Sequence, residues 1–266
     1  MNKDFSFFRS INPNLHINDD KFIAQCTPIP FSNETLQSSK SLMMKEGYFE
    51  LPPQKYLCSV SEMALAIDRF KKNGIPPVYC YVYDEYWLLF YQLHNLVKTF
   101  LGDGYVRLPG FWAWHVDPKN DESGWKSHRD RGAYTLNEDK TPKTITLWVP
   151  LTDTNELNGC MYIIPADRDP DYGVVDTMGY RGDFCNIRAL PAKAGTIICW
   201  NQCVLHWGSR TSNRATNPRI SLSIEFQQKG DHYYDQPVQV PNYVPPFDEK
   251  LKLIEKQLEQ YKHMYL

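Results

Sequence analysis

Apolar residues recur along this chain with two different periods, and the change from one to the other falls near Gly102-Asp103-Gly104. Before that point the spacing is helical. Met63, Leu65, Ala66, Ile67 and Phe70 supply much of a buried stripe over Ser61–Asn73, with Ser61 placed to cap it and Gly74 to end it ahead of Pro76-Pro77. A second helix is predicted from about Asp84 to Leu101, with Leu88, Leu89, Leu93, Leu96, Val97 and Phe100 turned inward. Residues 1–58 mix short apolar pieces with polar and proline-rich ones, and an irregular, partly wrapped extension is expected there.

After residue 104 the period becomes that of strands. Tyr105–Leu108 and Phe111–Val116 are short and rich in aromatic and β-branched residues, and Thr144–Leu151 is a stronger run. Asn158-Gly159 predicts a tight hairpin turn into Cys160–Ile164, which Pro165 ends. Gly195–Trp200 and the alternating Arg219–Phe226 continue the pattern. No helical period separates these strands, so a mainly β fold with flanking helices is expected, its core a double-stranded barrel or jelly roll of cupin-like form. The expected organisation is one domain: residues 1–104 as extension and supporting helices, 105–228 as the β core, and 229–266 as a C-terminal extension. Within the last, Phe247–Leu266 sets Leu251, Leu253, Ile254, Leu258 and Tyr261 on one broad face; it is expected to pack on the barrel, with a dimer contact as the alternative.

Composition narrows the class further. With 42% hydrophobic residues in 266 there is ample material for a core, and a net charge of −2 points to neither nucleic acid nor an anionic membrane. The first residues lack the apolar run of a signal peptide, and no stretch of 18 apolar residues occurs. The 7 cysteines include no C-x-x-C and are odd in number, so a disulfide framework is not expected and a reducing cytoplasm fits. A small-molecule substrate is therefore expected over a macromolecule.

Candidate chemistry lies in His128-Arg129-Asp130, answered much later by His206 and then by Arg219. Two imidazoles and a carboxylate make a three-coordinate face for a divalent metal and leave the opposite positions open. On a strand, residues two apart point the same way, so His128 and Asp130 can reach one ion. His115-Val116-Asp117 is a second copy, but Asp117 precedes Pro118 and can simply cap a turn. Arg219 with Ser221 on the same strand face can hold a carboxylate through guanidinium and hydroxyl donors. Singly each residue has an ordinary explanation, His206 as a partnered histidine and Arg219 as a solvated ion-pair partner. Their order together points to a non-haem Fe(II) oxygenase that consumes 2-oxoglutarate.

The motifs SHRD, ITLWVPL, NGCMYIIP, AGTIICWNQCVLHWGS and PRISLSIEF, in this order, resemble the phytanoyl-CoA dioxygenase-like family of Fe(II)/2-oxoglutarate oxygenases across about Phe111 to Phe226. The resemblance implies a double-stranded β-helix, iron on His128, Asp130 and His206, and the distal carboxylate of 2-oxoglutarate on Arg219, with O2 as the second co-substrate. It also implies that Trp148 and His115 lie beside 2-oxoglutarate. Two features depart from the pattern: Trp207 stands where the family usually has Gly, and the gap to the arginine is longer, which leaves Arg214 as a rival to Arg219. Related halogenases replace the carboxylate with a small residue, so Asp130 favours hydroxylation, desaturation or ring formation over chlorination. The expected substrate is a small metabolite or natural-product intermediate. Lys126, Arg129, Arg131 and Arg210 are candidates to hold an acidic group on it, and Trp112, Trp114 and Trp125 to wall it. The competing readings are a non-catalytic metal- or 2-oxoglutarate-binding barrel, a cupin-like metal-dependent isomerase or hydrolase, and a nucleic-acid dealkylase.

Overall fold

The structure, a computed structural model, describes residues 4–174, 180–230 and 232–262. Its helices are α1 (Phe5–Ile11), α2 (Asp20–Ile23), α3 (Asn33–Glu46), α4 (Val60–Lys72), α5 (Asp84–Tyr91), α6 (His94–Leu101) and α7 (Phe247–Gln260). Its strands are β1 (Tyr48–Leu51), β2 (Val106–Val116), β3 (Thr144–Pro150), β4 (Met161–Ile163), β5 (Arg188–Leu190), β6 (Ile197–Asn201), β7 (His206–Gly208) and β8 (Arg219–Gln227).

Two antiparallel sheets organise the chain. The larger has the order β1-β6-β3-β8-β2 and the smaller β5-β4-β7. Alternation along the large sheet assigns its two faces. Ile145, Leu147 and Val149 of β3 and Ile220, Leu222 and Ile224 of β8 join the helices in the main apolar core. Trp148, Ile198 and Trp200 point the other way and pack with Met161, Ile163 and Leu190 of the small sheet. The helices thus cover one face, and the opposite face encloses the site.

Several expectations are corrected. The second predicted helix is broken at Gln92-Leu93, because the Gln92 carbonyl accepts from Ile29 N at 2.7 Å instead of continuing the helical ladder. The hairpin at Asn158-Gly159 does not form: both edges of β3 are taken, by β6 and β8, so the chain crosses to the small sheet and β4 pairs with β5 and β7. The N-terminal segment is not irregular throughout. Ser32 caps α3 by accepting from Thr35 N, Gly47 ends it with φ 78°, and β1 then adds an edge strand to the large sheet. Only Ser39 and Met43 of α3 are buried, too thin a stripe to show as a period. Tyr105–Leu108 and Phe111–Val116 merge into β2, with a register shift between Arg107 and Phe111. α7 packs on the body through Phe247, Lys250, Leu253, Ile254 and Gln257, and Lys250 pairs with Asp84 in full burial. Residues 263–266 of its predicted span lie outside the described residues.

Candidate metal centre

His128 and His206 are brought together by the main chain. Each donates its backbone N–H to the other's carbonyl at 3.0 Å, an isolated antiparallel bridge that sets their imidazole centroids 4.4 Å apart. Both rings point Nδ1 at a carbonyl, that of Lys126 at 2.6 Å for His128 and that of Val204 at 3.1 Å for His206. A carbonyl only accepts, so Nδ1 carries the proton in each neutral ring and Nε2 presents its lone pair. Both Nε2 atoms lie 3.5 Å from Oδ1 of Asp130. The other carboxylate oxygen, Oδ2, accepts from Thr146 Oγ1 at 2.7 Å and from the Trp200 indole at 2.9 Å.

One ligand atom from each of the three residues lies within 4.8 Å of the other two. Adjacent corners of an octahedron with bonds of about 2.1 Å are about 3 Å apart, so this spacing accepts a divalent ion with small adjustments. Charge agrees with geometry. Burial opposes ionisation of Asp130, but the facing His206 and His128 and the Thr146 hydroxyl outweigh it and hold the carboxyl well below its usual range. Burial pulls His206 down to about 4, which keeps it neutral and available as a ligand. His128 is half-buried, and its Asp130 neighbour outweighs the desolvation and raises its pKa.

Beside the triad a cavity enclosing about 490 Å3, part of it open to solvent, is lined by His128, Asp130, His206, Trp148 and Arg219 among others. Arg219 is 1% exposed and donates to the Gly159 carbonyl at 2.8 Å, while its Nε has no partner. Burial with no carboxylate partner among the described residues lowers its pKa to about 10. Its guanidinium lies against Gly208 and Gly124: an added Cβ would come 2.6 Å from Nη1 at the first and 2.9 Å from Nη2 at the second. Ser221 shares the Arg219 face of β8, fully buried between Arg219 and Ser223, and its Oγ also lacks a partner. Arg214, by contrast, is exposed.

Not every candidate reaches the cavity. His115 lies on the opposite face of β2 from Trp112 and Trp114, with Nε2 3.2 Å from Asp68 of α4. Period-two geometry separates it from the triad, and it is not among the residues lining this cavity. The loop cations also point elsewhere. Arg129 forms a buried pair with Asp169 at 2.8 Å and donates to the Cys203 carbonyl at 2.6 Å, Arg210 pairs with Asp121, and Lys126 is exposed. The residues sequence reasoning missed are those that act on the triad or the cavity from distant positions: Thr146, Trp200, Gly124, Gly208, Glu225 and Tyr261. Thr146 lies two residues before Trp148, which the family resemblance had pointed to, so the alternation of TITLWVPL could have found it.

A family model described as phytanoyl-CoA dioxygenase matches residues 66–220. The chain belongs to the phytanoyl-CoA dioxygenase family. Solved structures with the same fold include the epimerase SnoN from nogalamycin biosynthesis in complex with Fe3+, α-ketoglutarate and nogalamycin RO, at 17% identity, TM-score 0.53, over 74% of this chain and 85% of that one. The non-heme α-ketoglutarate-dependent carbocyclase SnoK from the same biosynthesis matches at 17% identity and TM-score 0.53, over 76% and 87%. EctD from S. alaskensis with 2-oxoglutarate and 5-hydroxyectoine matches at 13% identity and TM-score 0.52, over 81% and 83%. No curated protein matches the sequence. Family membership agrees with the resemblance read from the motifs. No helix among the described residues is long and apolar enough to cross a membrane.

Proposed function

We propose that this protein is an Fe(II)- and 2-oxoglutarate-dependent dioxygenase that hydroxylates a C–H bond of a small molecule. The two facing sheets are read as the halves of a double-stranded β-helix within a single domain. The observation that carries the reading is a pairing within one cavity: two Nε2 atoms and one Oδ1 converge, and a buried guanidinium with no carboxylate partner among the described residues stands nearby. A buried, uncompensated cation is costly, and a bound dianion relieves it.

His128, Asp130 and His206 would hold the metal through Nε2, Oδ1 and Nε2, leaving the remaining positions open. The bound Fe(II) supplies the oxidising chemistry by which O2 and 2-oxoglutarate convert C–H to C–OH, releasing succinate and CO2. Arg219 would bind the distal carboxylate of 2-oxoglutarate through the Nε that now lacks a partner, and Ser221 offers its hydroxyl from the same face. Thr146 and Trp200 fix Oδ2 of Asp130 so that Oδ1 faces the ion. Trp148 and Trp114 wall the space and limit water. The fold neighbours carrying iron or 2-oxoglutarate support the same metal and co-substrate here.

The test is succinate formation. It is expected to require Fe(II), 2-oxoglutarate and O2 together, and to vanish in Asp130→Ala. Succinate from the purified variant at wild-type rate, or wild-type turnover without O2, would reject the reading; the second result would favour a metal-dependent isomerase or hydrolase.

A further inference from the structure

The cavity has an end that the triad and Arg219 do not use. Arg219 and Glu225 sit on the same face of β8, six residues apart, or roughly 20 Å along an extended strand. With 2-oxoglutarate taken to lie between the metal and Arg219, as proposed above, the Glu225 end is left for the primary substrate. Room for that carboxylate is made by the register shift in β2, which leaves Gly110 opposite it: a Cβ at 110 would lie 2.5 Å from Oε1 of Glu225. Oε2 accepts from Arg131 at 2.9 Å, and the Gln202 amide also faces the group. Arg131 stands behind the carboxylate and does not line the cavity.

Around Glu225 the walls are aromatic. The Tyr261 ring, at the end of α7, is 4.6 Å from Trp125 and 5.1 Å from Trp112, and all three line the cavity. Among the described lining residues the only arginine or lysine is Arg219, at the far end, and the two histidines belong to the triad. At the Glu225 end an acidic substrate would therefore meet a carboxylate whose one cationic neighbour, Arg131, is already paired with it. A protonated amine would meet an acceptor and electron-rich ring faces, each favourable to it.

We propose that Glu225 is a specificity-determining residue that receives a protonated amine of the primary substrate, with Trp112, Trp125 and Tyr261 as the walls of its binding site. This rests on the oxygenase reading above.

Three probes of similar body separate the chemistries: 2-phenylethylamine, 2-phenylethanol and 3-phenylpropionate. Each is titrated into full-length protein loaded with Co(II) and 2-oxoglutarate, and quenching of tryptophan fluorescence is followed. The amine is expected to quench saturably, at least about tenfold more tightly than the alcohol, with no saturation by the acid. Glu225→Gln should erase the preference for amine over alcohol, and Glu225→Asp, which keeps the charge, should retain it. No saturable quenching by the amine, or an acid that binds as tightly, overturns the proposal. An amine preference that survives Glu225→Gln removes Glu225 from the role. Failure of the wild type to bind Co(II) or 2-oxoglutarate would instead sink the oxygenase reading.

Discussion

Trp200 donates its indole N–H to Oδ2 of Asp130 at 2.9 Å, from the strand that follows the small-sheet crossover. Together with Thr146 it leaves only Oδ1 turned toward the two imidazoles. Partners of this kind orient a metal-binding carboxylate, and losing one typically lowers affinity about 10- to 100-fold. Trp200→Phe keeps the ring and removes the donor. Anaerobic Co(II) titration should show a loss within that range with an unchanged circular dichroism spectrum; wild-type affinity would refute the role.

Arg219 should behave in opposite ways toward stability and toward co-substrate. A buried cation without a carboxylate partner contributes little to folding, so Arg219→Met should leave the thermal midpoint of the ligand-free protein unchanged or raised. A lost charge-assisted bond is worth about 1.5–3 kcal/mol. The shift in midpoint caused by 2-oxoglutarate should accordingly disappear, and its KM should rise by one to two orders of magnitude. A variant that is destabilised yet still stabilised by 2-oxoglutarate would contradict this.

Gly208 touches the same guanidinium from β7. In Gly208→Ala the new methyl would lie 2.6 Å from Nη1 and 2.8 Å from the Gly124 Cα, so Arg219 and the Gly124 backbone must both give way. The expected result is a raised KM for 2-oxoglutarate with Co(II) affinity unaltered. Equal losses in both would mean that the substitution disturbs the triad instead.

Metal affinity should fall on acidification with a slope of one proton. His128 has a raised pKa, so protons compete for its Nε2 as pH drops through that value, while His206 stays neutral until about pH 4. Co(II) affinity, measured stepwise downward to pH 5, should lose about tenfold per unit once His128 is protonated. A slope of two across this window would show that both imidazoles titrate together.

Arg129 lies between two candidate ligands and faces away from them, into a pair with Asp169 that is 2% and 1% exposed. Removing one partner of such a pair typically costs about 3–5 kcal/mol. Asp169→Asn should therefore lower the unfolding free energy by an amount in this range in urea. Replacing both partners with apolar residues should recover much of the loss.

Much of this was readable in the amino acids. The strands of the large sheet showed as alternation because one face meets the helices and the other meets the cavity, and His128, Asp130, His206 and Arg219 were recognisable from their order. What escaped had physical causes. α3 buries too little to leave a stripe, and the break after Tyr91 is imposed by Ile29, more than sixty positions earlier. His115 matched a motif, but strand parity and Asp68 hold it on the helical side. Glu225 and Tyr261 carry no local signature at all: one needs the offset in β2 and the other the docking of α7 to reach the cavity.

The reciprocal main-chain bonds between residues 128 and 206 have a corollary. Peptide groups set the gap between the two imidazoles, so that gap does not rest on the side chains of positions 112, 125, 225 and 261. Under the proposed function, a change at any of these four positions reshapes the space offered to the substrate while the two main-chain bonds keep their places.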